Sequence, residues 1–338
     1  MVNRNLIYLS YGSESEYRRT IFSVLSYFSW CGNLVESTRV IIYTDAPEYF
    51  GDFFPDRAVE YYLLSPELLD EMKGADQFVH RIKVSVINLT FENYPDENQL
   101  FVDSDTFFTA NATQLINSIA TGISIMHVRE YAIEESLEMF ASYNQAHFPQ
   151  SFMMYINNHA FKVGKEMISF DNQDYSWNSG VLGLHKDFAG YMPDILKLTD
   201  QFYANSKWFI SEQLAFSFIL QRKTEIKPAA DYILHYWGKR QKKLLDHLLA
   251  GYLKTGQGIV FEDKASFKIK TRSYMKAIGN DLILEQIEIA IDLKSWIYAF
   301  KKCSQFLLSN PMNLKLYIEL FSTLKGKLKR ADIINGVV

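Results

Sequence analysis

Leu100-Phe101-Val102-Asp103-Ser104-Asp105 is the stretch whose reading decides the fold. Three apolar residues run straight into two carboxylates set one residue apart, and Thr106-Phe107-Phe108 follows. An apolar run entered through Pro95-Asp96-Glu97-Asn98 predicts a buried strand leaving a turn, with the acids at its C-terminal end. In open α/β sheets ligands gather beyond the carboxyl ends of the strands, so two acids there can be aimed at one bound cation. Carboxylate oxygens are hard ligands, which suits Mg²⁺ or Mn²⁺ shared with the phosphates of a nucleotide. An Asp-x-Asp triplet also arises by chance as a turn that two acids solvate; the apolar run before it sets this one apart.

Upstream the pattern is that of βα units. Leu6 to Leu9 reads as a first strand, Ser10-Tyr11-Gly12-Ser13 as the loop after it, and Ile21, Val24, Leu25 and Phe28 recur at helical spacing. Arg39 to Thr44 forms a second strand ending at Asp45, Tyr61 to Leu64 a third, and Gln77 to Phe91 a helix carrying Arg81 and Lys83. Downstream, residues 120 to 126 read as a strand, followed by a long excursion over 128 to 176 that is rich in Tyr, Phe, Met, His and Asn. Excursions of that length in compact domains are commonly binding loops. Trp177 to Leu184 returns to strand, helices follow over Pro193 to Phe202 and from Ile210 onward with Ser211 as N-cap, and Ile233 to Gly238 is a short apolar approach to His235. Alternation of this kind predicts an α/β fold with a mainly parallel sheet covered on both faces.

The 338 residues, 48% hydrophobic and 15% aromatic, suffice for a large core. A net charge of -4 offers no general attraction to nucleic acid, so nucleic-acid partners are not expected. Two distant cysteines, Cys31 and Cys303, point to a reducing, cytoplasmic setting. No stretch approaches the roughly 18 continuous apolar residues of a membrane span. Beyond about residue 262 strand signal gives way to helices, with one helical pattern over Leu282 to Leu308 and another over Leu314 to Leu328. The expected organisation is a catalytic domain over 1–262 and a helical extension over 263–338.

Five stretches, in order, resemble the GT-A glycosyltransferases, and in particular retaining glycosyltransferase family 8, which includes glycogenin and the lipopolysaccharide galactosyltransferases. His80-Arg81-Ile82-Lys83 is similar to that family's Arg-x-Lys helix, and Phe101-Val102-Asp103-Ser104-Asp105-Thr106 to its Tyr-Leu-Asp-x-Asp segment. Asn178-Ser179-Gly180-Val181 resembles its Asn-Ala/Ser-Gly strand, Glu212-Gln213 its Asp-Gln pair, and His235-Tyr236-Trp237-Gly238 its His-x-x-Gly. Joint occurrence in order is far more specific than any one motif.

The resemblance implies a GT-A fold and a divalent metal, Mn²⁺ or Mg²⁺, held by Asp103, Asp105 and His235 with the diphosphate of a nucleotide-sugar, usually a UDP-sugar. A cation bridging two phosphate oxygens stabilises the charge that develops on the leaving diphosphate. By itself His235, beside Leu234 and Tyr236, would read as a core histidine. By resemblance Arg81 and Lys83 reach or support the donor, with a solvated helix face as the other reading of Lys83. Tyr8, Ser10, Tyr11, Gly12 and Asp45 lie where the family binds uridine and ribose, although Tyr8 reads equally as core. Ser104, Asn178 and Gly180 are placed around the donor, and Glu212 and Gln213 at its sugar as the catalytic pair. Glu212 stands where Asp is usual, and its plain reading is a first-turn carboxylate favoured by the helix dipole.

After Gly238 the family's Lys-Pro-Trp is replaced: Gln241 occupies the expected Lys position, leaving Lys239 or Lys242 to neutralise phosphate. The implied reaction transfers a hexose to a glycan or glycolipid acceptor with retention. Two alternatives stay open: an inverting transferase with Glu212 as general base, and a nucleotide-sugar-binding subunit without turnover. In the last helix Leu316, Leu320, Leu324 and Leu328 form a stripe beside Phe321, with Lys315, Lys325, Lys327, Lys329 and Arg330 as its cations. Such a helix either attaches to the anionic inner face of a membrane or packs on the catalytic domain with its cations solvated.

Overall fold

The computed structural model describes residues 2–54, 59–253 and 264–326, apart from 312, 315, 319 and 323. The chain begins with β1 (Arg4–Leu9), α1 (Glu14–Trp30), β2 (Thr38–Thr44), α2 (Glu48–Gly51), β3 (Val59–Leu63), α3 (Pro66–Lys73), α4 (Arg81–Asn93) and β4 (Asn98–Val102). Next come β5 (Thr106–Phe108), α5 (Thr113–Asn117), β6 (Ile123–Met126), β7 (Arg129–Ala132), α6 (Ser136–Ala141), α7 (His147–Asn157), β8 (Ala160–Val163) and β9 (Glu166–Ser169). It continues through β10 (Tyr175–Trp177), β11 (Val181–Leu184), α8 (Met192–Ser206), α9 (Ser211–Lys223), β12 (Glu225–Pro228), β13 (Ile233–His235), α10 (Lys239–Tyr252), α11 (Lys264–Asp292) and α12 (Trp296–Ser309).

Seven strands form one sheet in the order β12-β6-β11-β4-β1-β2-β3. Neighbouring pairs are parallel except those made by β11, which runs antiparallel to both β4 and β6. The expected mainly parallel α/β sheet is therefore present, with one reversed strand inside it. That reversal has a local consequence: the C-terminal end of β4 and the N-terminal end of β11 meet at one edge, where Asp103 N donates to Gly180 O at 2.9 Å. β1 and β4 are buried along almost their whole length and apolar from Leu6 and Leu100 onward, as helices on both faces require. The excursion after β6 is ordered: β7 pairs with β10, β8 with β9, and Phe152, Phe161 and Phe170 pack with Phe202 and Phe218 of α8 and α9.

Helix boundaries follow local chemistry. Ser13 caps α1, with Glu14 and Glu16 in the first turn, and Ser65 followed by Pro66 starts α3. Ser211 is not the N-cap of α9: Ile210 holds that position and Ser211 Oγ donates to Trp208 O at 2.6 Å. The single helical pattern expected over Leu282 to Leu308 is two helices, broken between α11 and α12 where Lys294 adopts φ +57°.

By compactness the chain forms two units, Met1–His235 with Leu249–Lys268, and Tyr236–Leu248 with Ile269–Val338. The boundary expected near residue 262 lies outside the described residues. In the second unit Leu320 is buried with Leu284, Ile287, Ala299 and Phe306, and Leu316 and Leu324 pack against the same cluster. Of the leucine stripe, Leu320 is part of the core of its own helical unit and Leu316 and Leu324 pack partly buried against it, while Phe321 beside the stripe is exposed. Leu328, Lys315, Lys327, Lys329 and Arg330 lie outside the described residues. Among the described residues no helix is long and apolar enough to cross a membrane.

Candidate metal and donor site

The Asp103-Ser104-Asp105 triplet is the turn between β4 and β5. Thr106 Oγ1 donates to Asp103 O at 2.7 Å, and Ser104 Oγ donates to the Glu16 carboxylate, which pins the turn to α1. Ser104 thus has its hydroxyl engaged within the fold. β13 pairs antiparallel with β5 so that His235 lies opposite Thr106. His235 Nε2 comes within 3.2 Å of Asp105 Oδ1, and Asp103, Asp105 and His235 each offer one ligand atom within 4.8 Å of the others. Two carboxylates and an imidazole fit a cation such as Mn²⁺, which accepts both hard oxygen and nitrogen. Asp105 and His235 are almost fully shielded, with side chains 8% and 6% exposed. A cation there would act in a partly dry setting.

Beneath the triplet lies Lys83. Its Nζ donates to Asp103 Oδ2 at 3.0 Å, Ser179 Oγ at 3.2 Å and Glu212 Oε1 at 3.4 Å. Burial is the largest influence on its pKa and opposes the charge, but Asp103 and Glu212 outweigh it and the net shift is upward. Lys83 is therefore a buried ammonium serving two carboxylates, not part of a solvated helix face. Glu212 sits in the first turn of α9 as expected, yet it is buried. Its Oε1 also accepts from Ser179 Oγ at 3.0 Å, and its Oε2 is buried without a hydrogen-bond partner. A buried carboxylate oxygen left unsatisfied is costly unless something else fills the place.

Asn178, Gly180 and Gln213 complete this edge. Asn178 Oδ1 accepts from Gly180 N at 3.0 Å and lies 2.8 Å from His235 Nδ1. A Cβ on Gly180 would stand 2.4 Å from His235 Nδ1, so glycine is what lets the imidazole lie against β11. Gln213 Oε1 accepts from Ser179 N at 3.2 Å, and its Nε2 donates to Ser176 Oγ at 2.8 Å and Glu130 Oε2 at 2.9 Å. Behind His235, the His127 ring packs edge-on at 5.4 Å and hydrogen-bonds Ile233 O at 3.0 Å. Burial first, then the neighbouring His235, lowers the His127 pKa to about 4, so it is a neutral support. Glu130 and His127 escaped the sequence reading, because each acts across the sheet edge and neither carries a local motif.

The residues after β1 have mixed fates. Tyr8 is core, its hydroxyl 3.1 Å from Ser23 Oγ, and burial raises its pKa. Ser10 is buried with Oγ lacking a partner, and Tyr11 is half-buried. Gly12, at φ +87°, turns the loop so that its N–H donates to Asp45 Oδ2 at 3.0 Å, while Tyr17 OH donates to Asp45 Oδ1 at 2.7 Å. The structure does not bring Arg81 to the triplet. Its guanidinium is held by Asp200 at 2.6 and 3.3 Å and by Met72 O at 2.9 Å. Gly238, Lys239 and Lys242 belong to the second unit, where they open α10 rather than a loop. There Gln241 is buried and donates to Asp281 Oδ2 at 3.0 Å and Glu285 Oε2 at 2.9 Å, which explains why this position is not a phosphate-binding lysine. A cavity of about 230 Å³ lined by Thr121, His185, Asp187 and Tyr191 lies at the opposite sheet edge and is unrelated to this cluster.

No model of a known protein family matches the sequence, and no curated protein matches it. Solved structures do. The glycosyltransferase GlyE of Streptococcus pneumoniae is similar over 82% of this chain and 64% of its own, at 11% identity and a TM-score of 0.44. Mouse xyloside xylosyltransferase 1 is similar over 75% of this chain and 94% of its own, at 10% identity and 0.44. The galactosyltransferase LgtC, solved with donor and acceptor sugar analogues, is similar over 79% and 95%, at 10% identity and 0.42. The chain spans less than two thirds of the length of GlyE.

Proposed function

We propose that this chain is a metal-dependent glycosyltransferase of GT-A type. It moves a hexose from a nucleotide-sugar, a UDP-sugar by the resemblance stated above, to a hydroxyl of a glycan or glycolipid with retention. One observation carries the reading: Asp103, Asp105 and His235 converge at the carboxyl edge of the sheet, beside a buried Glu212 whose Oε2 has no partner. Asp103, Asp105 and His235 would hold the cation. When bound, it would draw the diphosphate oxygens in and favour departure of the nucleoside diphosphate.

The other roles belong to the chain's own residues. Lys83 holds Asp103 and Glu212 in place. Glu212 offers its free oxygen to a sugar hydroxyl, where burial strengthens the hydrogen bond and selects for a donor that supplies one. Gln213, held at both ends of its amide, forms a fixed wall rather than a mobile one. The Lys83 and Ser179 contacts to Glu212 favour a binding role over that of a general base, which supports retention over inversion. Hydrolysis of UDP-glucose and UDP-galactose, followed with Mn²⁺ and again with EDTA, tests the reading. Metal-dependent release of UDP is expected. Tight binding without release would identify a binding subunit, and absence of both would remove the proposal. The anomeric configuration of the product, read by proton NMR, separates retention from inversion.

A further inference from the structure

Glu130, in β7, is the only carboxylate among the described residues shown accepting from both amides of the site. Its Oε1 accepts from Asn178 Nδ2 at 3.1 Å, and its Oε2 from Gln213 Nε2 at 2.9 Å and Ser176 Oγ at 3.3 Å. An ionised carboxylate accepts and cannot donate, so each amide must turn its nitrogen toward Glu130 and its oxygen away. For Asn178 the far side is Oδ1, which faces the Gly180 N–H at 3.0 Å and His235 Nδ1 at 2.8 Å. An amide oxygen accepts only, so His235 Nδ1 must carry a proton. In the neutral ring Nε2 then presents its lone pair 3.2 Å from Asp105 Oδ1, and two lone pairs at that distance need a cation or a proton between them.

From this chain of donors and acceptors we propose that Glu130 is a positioning residue. Together with the Gly180 N–H, it orients the Asn178 amide and, through it, sets the tautomer of His235 that bares Nε2 toward Asp105. The same carboxylate fixes Gln213, whose Oε1 is left for Ser179 N at 3.2 Å. The arrangement extends the carboxylate-to-histidine support of metal sites by one amide: carboxylate, amide, imidazole, then cation. Its relevance to a metal rests on the function proposed above, but the orientation itself does not.

The test is a charge-conserving exchange. Glu130→Gln keeps size but places a donor against one of the two amides, whereas Glu130→Gln with Asn178→Asp restores the pair between positions 130 and 178 with its roles reversed and leaves an acceptor for Gln213 Nε2 and for His235 Nδ1. Long-range proton–nitrogen spectra of histidine-labelled, metal-free protein, recorded at mildly alkaline pH and assigned with His235→Asn, report the His235 tautomer directly. Wild type and the double variant are expected to show protonated Nδ1, and Glu130→Gln alone a loss of that preference. Mn²⁺ affinity, from the free-ion resonance in EPR, is expected to fall about tenfold in the single variant and to return in the double. Circular dichroism melting checks that each variant is folded. A single variant with the wild-type tautomer and affinity, or a folded double variant as impaired as the single, would overturn the proposal. If wild type binds no Mn²⁺ while the tautomer follows Glu130 as described, the metal reading fails and the positioning role of Glu130 stands.

Discussion

Among the described residues, a cluster in which carboxylates outnumber cations can be compared between the two units. In the first, Lys83 faces Asp103 and Glu212, with Asp105 in the same triplet. In the second, Arg240 faces Asp281 and Glu288, and Gln241 bridges Asp281 and Glu285. The counts are alike but the surroundings are not. Arg240 is 33% exposed, so water reaches the cation itself and screens its pairs with Asp281 and Glu288. Lys83 and Glu212 are 8% and 4% exposed, and one oxygen of Glu212 is dry and unpaired. Surplus charge that water reaches is an ordinary structural feature. Surplus charge kept dry is a place prepared for a ligand.

The largest effect expected from this contrast is functional. Asp105→Asn should lower metal-dependent sugar-nucleotide turnover by roughly a hundredfold or more while the protein still melts cooperatively, since it keeps the side chain's shape and removes a ligand charge. Turnover and thermal melting measured on the same sample check this, and near-normal activity would show that the first cluster is as inert as the second. Next comes stability. Lys83→Met should cost about 3 to 5 kcal/mol in urea unfolding, because it strands buried carboxylates, whereas Arg240→Met should cost about 1 kcal/mol or less. Equal costs would erase the distinction between the clusters. Gly180→Ala should cost about 1 to 3 kcal/mol, since the added methyl group overlaps the His235 ring, and should weaken Mn²⁺ binding in the same titration. A variant with unchanged affinity would show that the imidazole can retreat without loss.

The smallest effect concerns the two thiols. Burial pushes Cys31 up to about 11, while Cys303 is only partly buried. At neutral pH iodoacetamide should therefore modify Cys303 well before Cys31, as intact-mass spectrometry would read. The raised Cys31 pKa also sets the sign of its contribution to stability. The unfolded thiol ionises first as pH rises above 9, so this contribution is lost between pH 9 and about 11.

Much of the sheet and the Asp103–Asp105 pair at its edge was legible in the sequence because both depend on local signals, whereas His235 joined them only through the resemblance. Apolar runs such as Leu6 to Leu9 and Leu100 to Val102 mark strands that helices cover on both sides, and the triplet sits at the end of one of them. The reversed direction of β11 was not legible, since direction is decided by partners that no local pattern names. The fate of Arg81 was lost for a similar reason. Its spacing from Lys83 places the two on different faces of α4, and only the packing of α8 reveals that Asp200 waits on the other side. Lys83 itself reads as surface in any window of sequence, because the acids that make its burial tolerable lie on β4 and α9. The stripe of Leu316, Leu320 and Leu324 announced an apolar face correctly, but not what would cover it.

Because Lys83 is tethered to α4 and already holds Asp103 and Glu212, the chain brings its own counter-ion through synthesis and folding. For the metal-dependent function proposed above, acquiring the native shape and acquiring the metal would then be separate events. The metal becomes an exchangeable reagent, drawn from the surrounding pool and returned to it, rather than a staple whose loss unravels the protein. Under that proposal, a cell short of the cation would keep an idle, intact population of this chain, ready to resume work when the ion returns, without having to make it again.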